Sequence, residues 1–296
     1  MKFRTEYCPD KSRITLDPSI PVVLLGSCFS QNMAERMLAH KWEAINPLGT
    51  LYNPYSILVA LDMMLDQKKG VERFEKSLFQ GNGIWNSHYF DSSFSSLNQE
   101  DSIKHFENNQ NLLIEALKKG APLIVTFGTS RCYYLKSQSI PVGNCHKMPA
   151  ELYYNQRLSL FGTSCDWLAE LEQIEKDYPA IKVIFTVSPV RHLKDGFIEN
   201  ARSKALLLLY VEEICRYSEI TSYFPAFEIL NDDLRDYRFY ASDLTHPSDE
   251  AKEYIWEKFV ETYIDEKGKE YLKTGNKEIK ASQHRPLRGA LGKPLS

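Results

Sequence analysis

The chain alternates short apolar runs with longer amphipathic stretches. Val22 to Leu25 is a β-branched and leucine run that stops at Gly26-Ser27-Cys28, the pattern of a buried parallel strand and its turn. Behind it, Met33, Met37 and Leu38 are spaced for one face of a helix. Ala121–Phe127 and Ile181–Val187 repeat the strand pattern, stopping at Gly128-Thr129-Ser130-Arg131 and at Ser188-Pro189-Val190-Arg191-His192. Glu43–Ile45 and Ile220–Phe224 read as shorter strands.

Helices are predicted between these runs. One starts at Pro54, with proline in the first turn where its missing N–H costs nothing, and carries Ile57, Leu58, Leu61 and Met64. A polar helix through Leu112, Leu113, Ile114 and Leu117 stops at Lys118-Lys119-Gly120. Others hold Trp167, Leu168, Leu171 and Ile174, span about Asn200 to Tyr217, and run from Ser248 to Ile264. Alternation of strand and helix predicts a three-layer α/β/α sandwich around a mainly parallel sheet.

Two stretches depart from this alternation. Around residues 70–100, Phe74, Phe79, Trp85, Tyr89, Phe90 and Phe94 are interleaved with Gly, Asn and Ser. The expectation is a hairpin over the core, read first as a packed cluster and second as a substrate wall. Tyr133–Val142 is a second candidate hairpin, turning at Lys136–Ser139. Residues 1–20 form a polar lead-in arm. With no repeat, low-complexity tract or linker, residues 1–275 are expected to form a single domain. Residues 276–296 are expected to be a basic, loosely held tail, with nucleic-acid binding its lesser reading.

The composition fits a globular protein: 296 residues, 43% hydrophobic and 25% charged, enough to bury a sizeable core. A net charge of -3 offers no global attraction to nucleic acid or anionic membrane. No apolar h-region follows the amino-terminal charges and no run reaches membrane-spanning length, so a cytoplasmic protein is expected. Cys8, Cys28, Cys132, Cys145, Cys165 and Cys215 lack C-x-x-C or zinc spacing, and free thiols with no metal are the simplest account.

The candidate chemistry sits at strand ends. Ser27 falls at the carboxyl end of the first strand, where open α/β sheets place their sites, beside the free N–H groups of the next helix. A helix cap is the competing reading. A serine nucleophile needs a base with a partner that fixes its tautomer, and Asp243-Leu244-Thr245-His246-Pro247 offers both in one turn. Pro247 keeps His246 out of helical angles. The turns at Gly49, Gly128-Thr129 and Gly143-Asn144 could donate to an oxyanion. Cys28 could instead pair with a histidine. One residue past the turn, its side chain is expected to point elsewhere, and a small buried cysteine is the favoured reading. Arg191 and His192 are candidates for an anionic substrate group or a structural pair. His146 with Lys147 is left unassigned, and Asp232, Asp233 and Asp236 read as an acidic surface run.

Taken together, these blocks resemble the SGNH (GDSL-like) hydrolases: a Gly-Asp-Ser-type turn after the first strand, later Gly and Gly-x-Asn blocks, and Asp-x-x-His before the last helix. GSCFS at 26–30, with NPLGTLYNP, TVSPVRH and DLTHPS, looks closer to the GSCFA-domain branch. The resemblance implies a flavodoxin-like fold with Ser27 as nucleophile, His246 as base and Asp243 as its orienting acid. It also implies oxyanion donors at the Ser27 N–H and Gly49. For the third donor, Ser130 stands where asparagine is expected, and Asn144 on the following loop is favoured. The aspartate that usually precedes the serine is absent. Ser130, Arg191 and His192 are expected to touch substrate. The implied reaction is hydrolysis of an acyl ester, with an O-acetyl carbohydrate as first candidate, through an acyl-serine and without a cofactor. A catalytically silent glycan- or partner-binding domain and an acyltransferase are the alternatives. Nothing in the residues sets an oligomeric state.

Overall fold

Parallel pairing of short, wholly apolar strands builds the centre of the molecule. The structure is a computed structural model and describes residues 4–283. The first half holds β1 (Val22–Gly26), α1 (Cys28–Ala39), β2 (Ala44–Ile45), α2 (Pro54–Leu65), α3 (Gly70–Lys76), β3 (Leu78–Gly81), β4 (Ile84–Ser87) and α4 (Gln99–Lys118). Then come β5 (Leu123–Phe127), β6 (Arg131–Leu135), β7 (Ile140–Val142), β8 (Tyr153–Arg157), α5 (Leu160–Asp177), β9 (Val183–Val187) and α6 (Gly196–Tyr217). The chain continues through β10 (Thr221–Phe224), a single turn α7 (Ala226–Glu228), α8 (Asp249–Tyr263) and α9 (Glu266–Gln283).

The central sheet has five parallel strands in the order β2-β1-β5-β9-β10. Counted within the sheet this is 2-1-3-4-5, a doubly wound order whose crevice lies where β1 and β5 diverge. Strands β1, β5 and β9 are buried at every residue. Alternate positions therefore supply two separate cores. Val23, Leu25, Val125, Phe127 and Phe185 pack under α2, α4, α5 and α6. Val22, Leu24, Ile124 and Ile184 pack under α1, α8 and the start of α9. Each such side chain contributes roughly 1.5–3 kcal/mol on burial. The architecture is the three-layer α/β/α sandwich the alternation predicts.

The aromatic insert divides in two. Phe74, Phe90, Phe94 and Phe106 form a buried cluster, with Phe74 stacked on Phe106 at 4.5 Å. The β3–β4 hairpin lies beyond it, where Phe79 stacks on His88. The packing reading therefore holds for the core of the insert. A second, antiparallel sheet, β7-β6-β8, follows β5. Its β6–β7 part is the hairpin expected at 133–142. Strand β8 and helix α3 carry weak patterns and were not expected.

The domain boundary expected at 275 falls inside a helix. Gly275 sits against the His40 carbonyl, where a side chain would overlap it, and Glu278 pairs with Lys41. Residues 276–283 thus continue α9, and the rest of the expected tail, 284–296, lies outside the described residues. Among the described residues no helix is long and apolar enough to cross a membrane.

Gly26 ends β1 with φ +123°, and a Cβ there would overlap the Thr126 carbonyl oxygen of β5. Gly26→Ala is expected to cost at least about 3 kcal/mol in denaturant unfolding, from strain plus clash. Gly196→Ala tests the strain alone, because Gly196 also has positive φ but faces open space. It should cost about 1 kcal/mol.

Candidate active site

The registers Gly26↔Thr126 and Thr126↔Thr186 bring the ends of β1, β5 and β9 level. Their turns therefore open side by side. At the first, Gly26 swings the chain so that Ser27 lies back against β5. Its N–H donates to the Thr126 carbonyl at 3.3 Å. Ser27 is 1% exposed, and its hydroxyl has no hydrogen-bond partner among the described residues. The hydroxyl makes no capping bond to α1 either. Its Cβ lies 3.2 Å from where a side chain on Gly128 would begin.

Cys28, the first residue of α1, is the group that meets the histidine. Its Sγ is 3.7 Å from His246 Nε2. The structure thus corrects two expectations. Cys28 does not point away, and the Ser27 hydroxyl does not reach the base. The Ser27 N–H is also committed to β5 rather than free for an oxyanion.

His246 is set by its own loop. Leu244 has φ +57°, the Ala241 N–H donates to the His246 carbonyl at 2.8 Å, and Tyr240 bridges to Pro247. This tight turn brings Asp243 Oδ2 to 2.6 Å from His246 Nδ1. Asp243 Oδ1 accepts from the N–H groups of Thr245 at 2.9 Å and His246 at 3.0 Å. These backbone bonds first, and the histidine second, hold the carboxyl well below the usual carboxylate range. A carboxylate can only accept, so Nδ1 carries the proton and Nε2 faces the thiol as acceptor.

Burial pushes the Cys28 thiol up. The N–H groups of Cys28 and Phe29 at the start of α1, and the Lys204 ammonium, pull the other way and do not cancel it. The free site therefore holds a neutral thiol beside a base that can take its proton.

Both groups line a cavity of about 640 Å³, with Tyr52, Tyr133, Asn144 and Arg191 among its walls. Strands β6, β7 and β8 form one side, so the wall of the cavity is this second sheet and not the aromatic insert. A larger groove, about 880 Å³, lies among Asp62, Lys118, Glu170 and Asp177, and the Cys28–His246 pair is not part of it.

The remaining candidates separate cleanly. Asn144 lines the cavity; its Oδ1 accepts from the His146 N–H at 2.8 Å, and its Nδ2 has no hydrogen-bond partner among the described residues. Arg191 lines it too, stacked 4.0 Å from the Tyr240 ring centre. His192 lines it with its ring edge-on to Tyr52, and burial drives it down to about 4, so it is neutral at pH 7. Gly49 does not line the cavity. It has φ +69° and backs onto the Asp91 carboxylate, which also accepts from the Thr50 N–H at 2.6 Å. Ser130 is fully buried, and its N–H and hydroxyl both donate to the Ser203 hydroxyl, at 2.7 and 3.1 Å. Neither Gly49 nor Ser130 holds the place expected of it. His146 is structural: its Nε2 lies 2.7 Å from the Ser87 carbonyl. Asp233 is likewise buried, accepting from Tyr254 and from the Tyr7 N–H.

One residue escaped the sequence reading. Lys204 is 2% exposed, and its ammonium donates to the carbonyls of Gly128 and Ser188, both at 2.7 Å. It ties together the turns after β5 and β9. The signal was present, because Lys204 lies on the same helical stripe as Leu207, Val211 and Ile214. Among the described residues no group of three or more His, Cys, Asp or Glu could hold a metal ion.

Burial drives Lys204 down to about 7 from the ordinary lysine value of 10.5. Between those values the unfolded chain binds the proton and the folded chain does not, so folding stability rises with pH across that window. The stability difference between wild type and Lys204→Met should therefore shift toward wild type by about 2 kcal/mol between pH 7 and pH 9. Urea unfolding of both proteins at the two pH values measures it; a constant difference refutes it.

A search among curated proteins finds no match to the chain. The GSCFA family's sequence model matches residues 21–259, from the approach to β1 through most of α8, and the chain belongs to the GSCFA family.

Proposed function

We propose that the protein is a hydrolase of acyl esters that works through Cys28, with His246 as base and Asp243 orienting it. The observation that carries this reading is the continuous contact from Asp243 Oδ2 through the imidazole to the Cys28 sulfur. It also repairs the resemblance to SGNH hydrolases. Laid over a Gly-Asp-Ser turn one residue at a time, Gly26-Ser27-Cys28 puts the thiol in the nucleophile's place and Ser27 in the aspartate's.

In the first step the Cys28 sulfur attacks the ester carbonyl carbon while its proton passes to His246 Nε2. The negative oxygen of the tetrahedral intermediate needs donors. In this reading the Cys28 N–H at the start of α1 and the Asn144 amide serve as those donors. The carbon–oxygen bond to the alcohol then breaks, His246 returns the proton to the leaving oxygen, and an acyl-cysteine remains. Water activated by the same histidine cleaves the thioester and restores the thiol. Another hydroxyl in place of that water would make the reaction a transfer. The tyrosine and asparagine side chains around the cavity suit the apolar face and hydroxyls of a sugar, which supports an O-acetyl carbohydrate as first substrate class.

Incubation with p-nitrophenyl acetate, followed by rapid quench and intact-mass analysis, should show one acetyl group mapping to Cys28. Ser27→Ala keeps the adduct and Cys28→Ala loses it. His246→Ala and Asp243→Asn should slow acylation by about a hundredfold or more. An adduct mapping to Ser27, or unchanged turnover in Cys28→Ala, refutes the assignment.

A further inference from the structure

The charges around the cavity do not balance. Arg131 is already matched: its guanidinium lies 3.2 Å from Glu199 and 3.5 Å from Asp195, and it bonds Asn155 at 2.6 Å. Among the described residues, Arg191 and Lys194 have no carboxylate at ion-pair distance. Lys194 donates to the Tyr133 hydroxyl at 3.0 Å, so it too is held at the wall. Arg191 is fixed from two sides. Its guanidinium stacks over Tyr240 and lies 5.1 Å from the centre of Tyr237, and its main-chain N–H donates to the Thr245 carbonyl at 3.1 Å. Thr245 is the residue before His246. The cation is thereby locked to the loop that carries the base. A guanidinium has five N–H donors, and stacking on Tyr240 uses its flat face, so the donors along its edge are left for a ligand.

A planar fork held flat by aromatic stacking, at the edge of a cavity and without a counter-ion, is suited to a carboxylate or phosphate. We infer that the substrate of this site carries such an anionic group, gripped by Arg191 with Lys194 assisting, while its acyl carbon lies against Cys28. The inference rests on Cys28 as the reacting group. It narrows the substrate class from acyl esters in general to acyl esters of an acidic molecule, such as an acylated sugar acid or sugar phosphate.

The test reads the thiol directly and needs no substrate. Cys28 alkylation by iodoacetamide is followed by peptide mapping in potassium chloride, in inorganic phosphate and in succinate, all at equal ionic strength. Phosphate or succinate should slow modification several-fold relative to chloride, and the more protective anion identifies the group. Arg191→Gln should remove most of the protection, Arg191→Lys should keep part of it, and Lys194→Gln, at an exposed position, should weaken it. Alkylation at one rate in all three salts overturns the inference while leaving a reactive Cys28 in place. Protection that survives Arg191→Gln and Lys194→Gln together also overturns it. A Cys28 that is not alkylated at all overturns the inference and the thiol mechanism together.

Discussion

The arrangement of this site depends on how closely β1 approaches β5 at Gly26. No side chain fits between Gly26 and the Thr126 carbonyl, and the residue takes a positive φ that other residues avoid. That one conformation ends the strand, reverses the direction of the chain and ties the Ser27 N–H to β5. Ser27 is then held inward and α1 begins at Cys28, whose side chain comes out facing His246. Which of the two neighbours faces the histidine is thus a consequence of strand packing. A different angle at Gly26 would exchange the two neighbours.

This explains what the sequence could and could not disclose. The buried strands were legible because a parallel strand covered on both faces must be apolar along its whole length. The Asp243–His246 pair was legible because its partners lie three residues apart, within one turn of chain, and need no tertiary contact to meet. The residue that meets the histidine was not. Ser27 and Cys28 are both chemically able, and what separates them is a backbone angle one residue earlier. Gly49 and Ser130 failed for a related reason. Each occupies a turn that matched a block of residues, but residues distant in sequence set those turns: Asp91 backs onto Gly49 and takes the Thr50 N–H, and Ser203 takes both donors of Ser130. Strand β8 was missed because its exposed positions carry Tyr154 and Gln156 and half-buried Asn155 lies between them, a stretch that reads as loop until β6 pairs with it.

Lys204 shows a different kind of dependence. A buried ammonium without a carboxylate is normally costly, and here only carbonyl dipoles receive it. Those two carbonyls belong to the turns after β5 and β9, which would otherwise be buried strand ends with unpaired oxygens. The lysine therefore joins the floor of the site to α6 and, when protonated, favours the Cys28 thiolate. That help is modest, since burial still keeps the thiol protonated.

The balance of these effects bears on the chemistry proposed for the site. A preformed thiolate–imidazolium pair needs a strong field to hold the charge apart from its proton, and the field here falls short of the desolvation of Cys28. What the site supplies is an acceptor whose direction is fixed before substrate arrives. Asp243 is half exposed, yet it stays ionised because backbone N–H groups of its own loop bind it. The orientation of His246 therefore does not rely on a buried, and hence costly, carboxylate. In the proposed reaction, proton transfer would then accompany the attack of sulfur on the acyl carbon, when the charge that forms on oxygen could be met by the amide donors at the start of α1 and at Asn144. In that reaction the local turn would supply the base and the strand packing the nucleophile, and catalysis would begin only where the cavity brings a carbonyl between them.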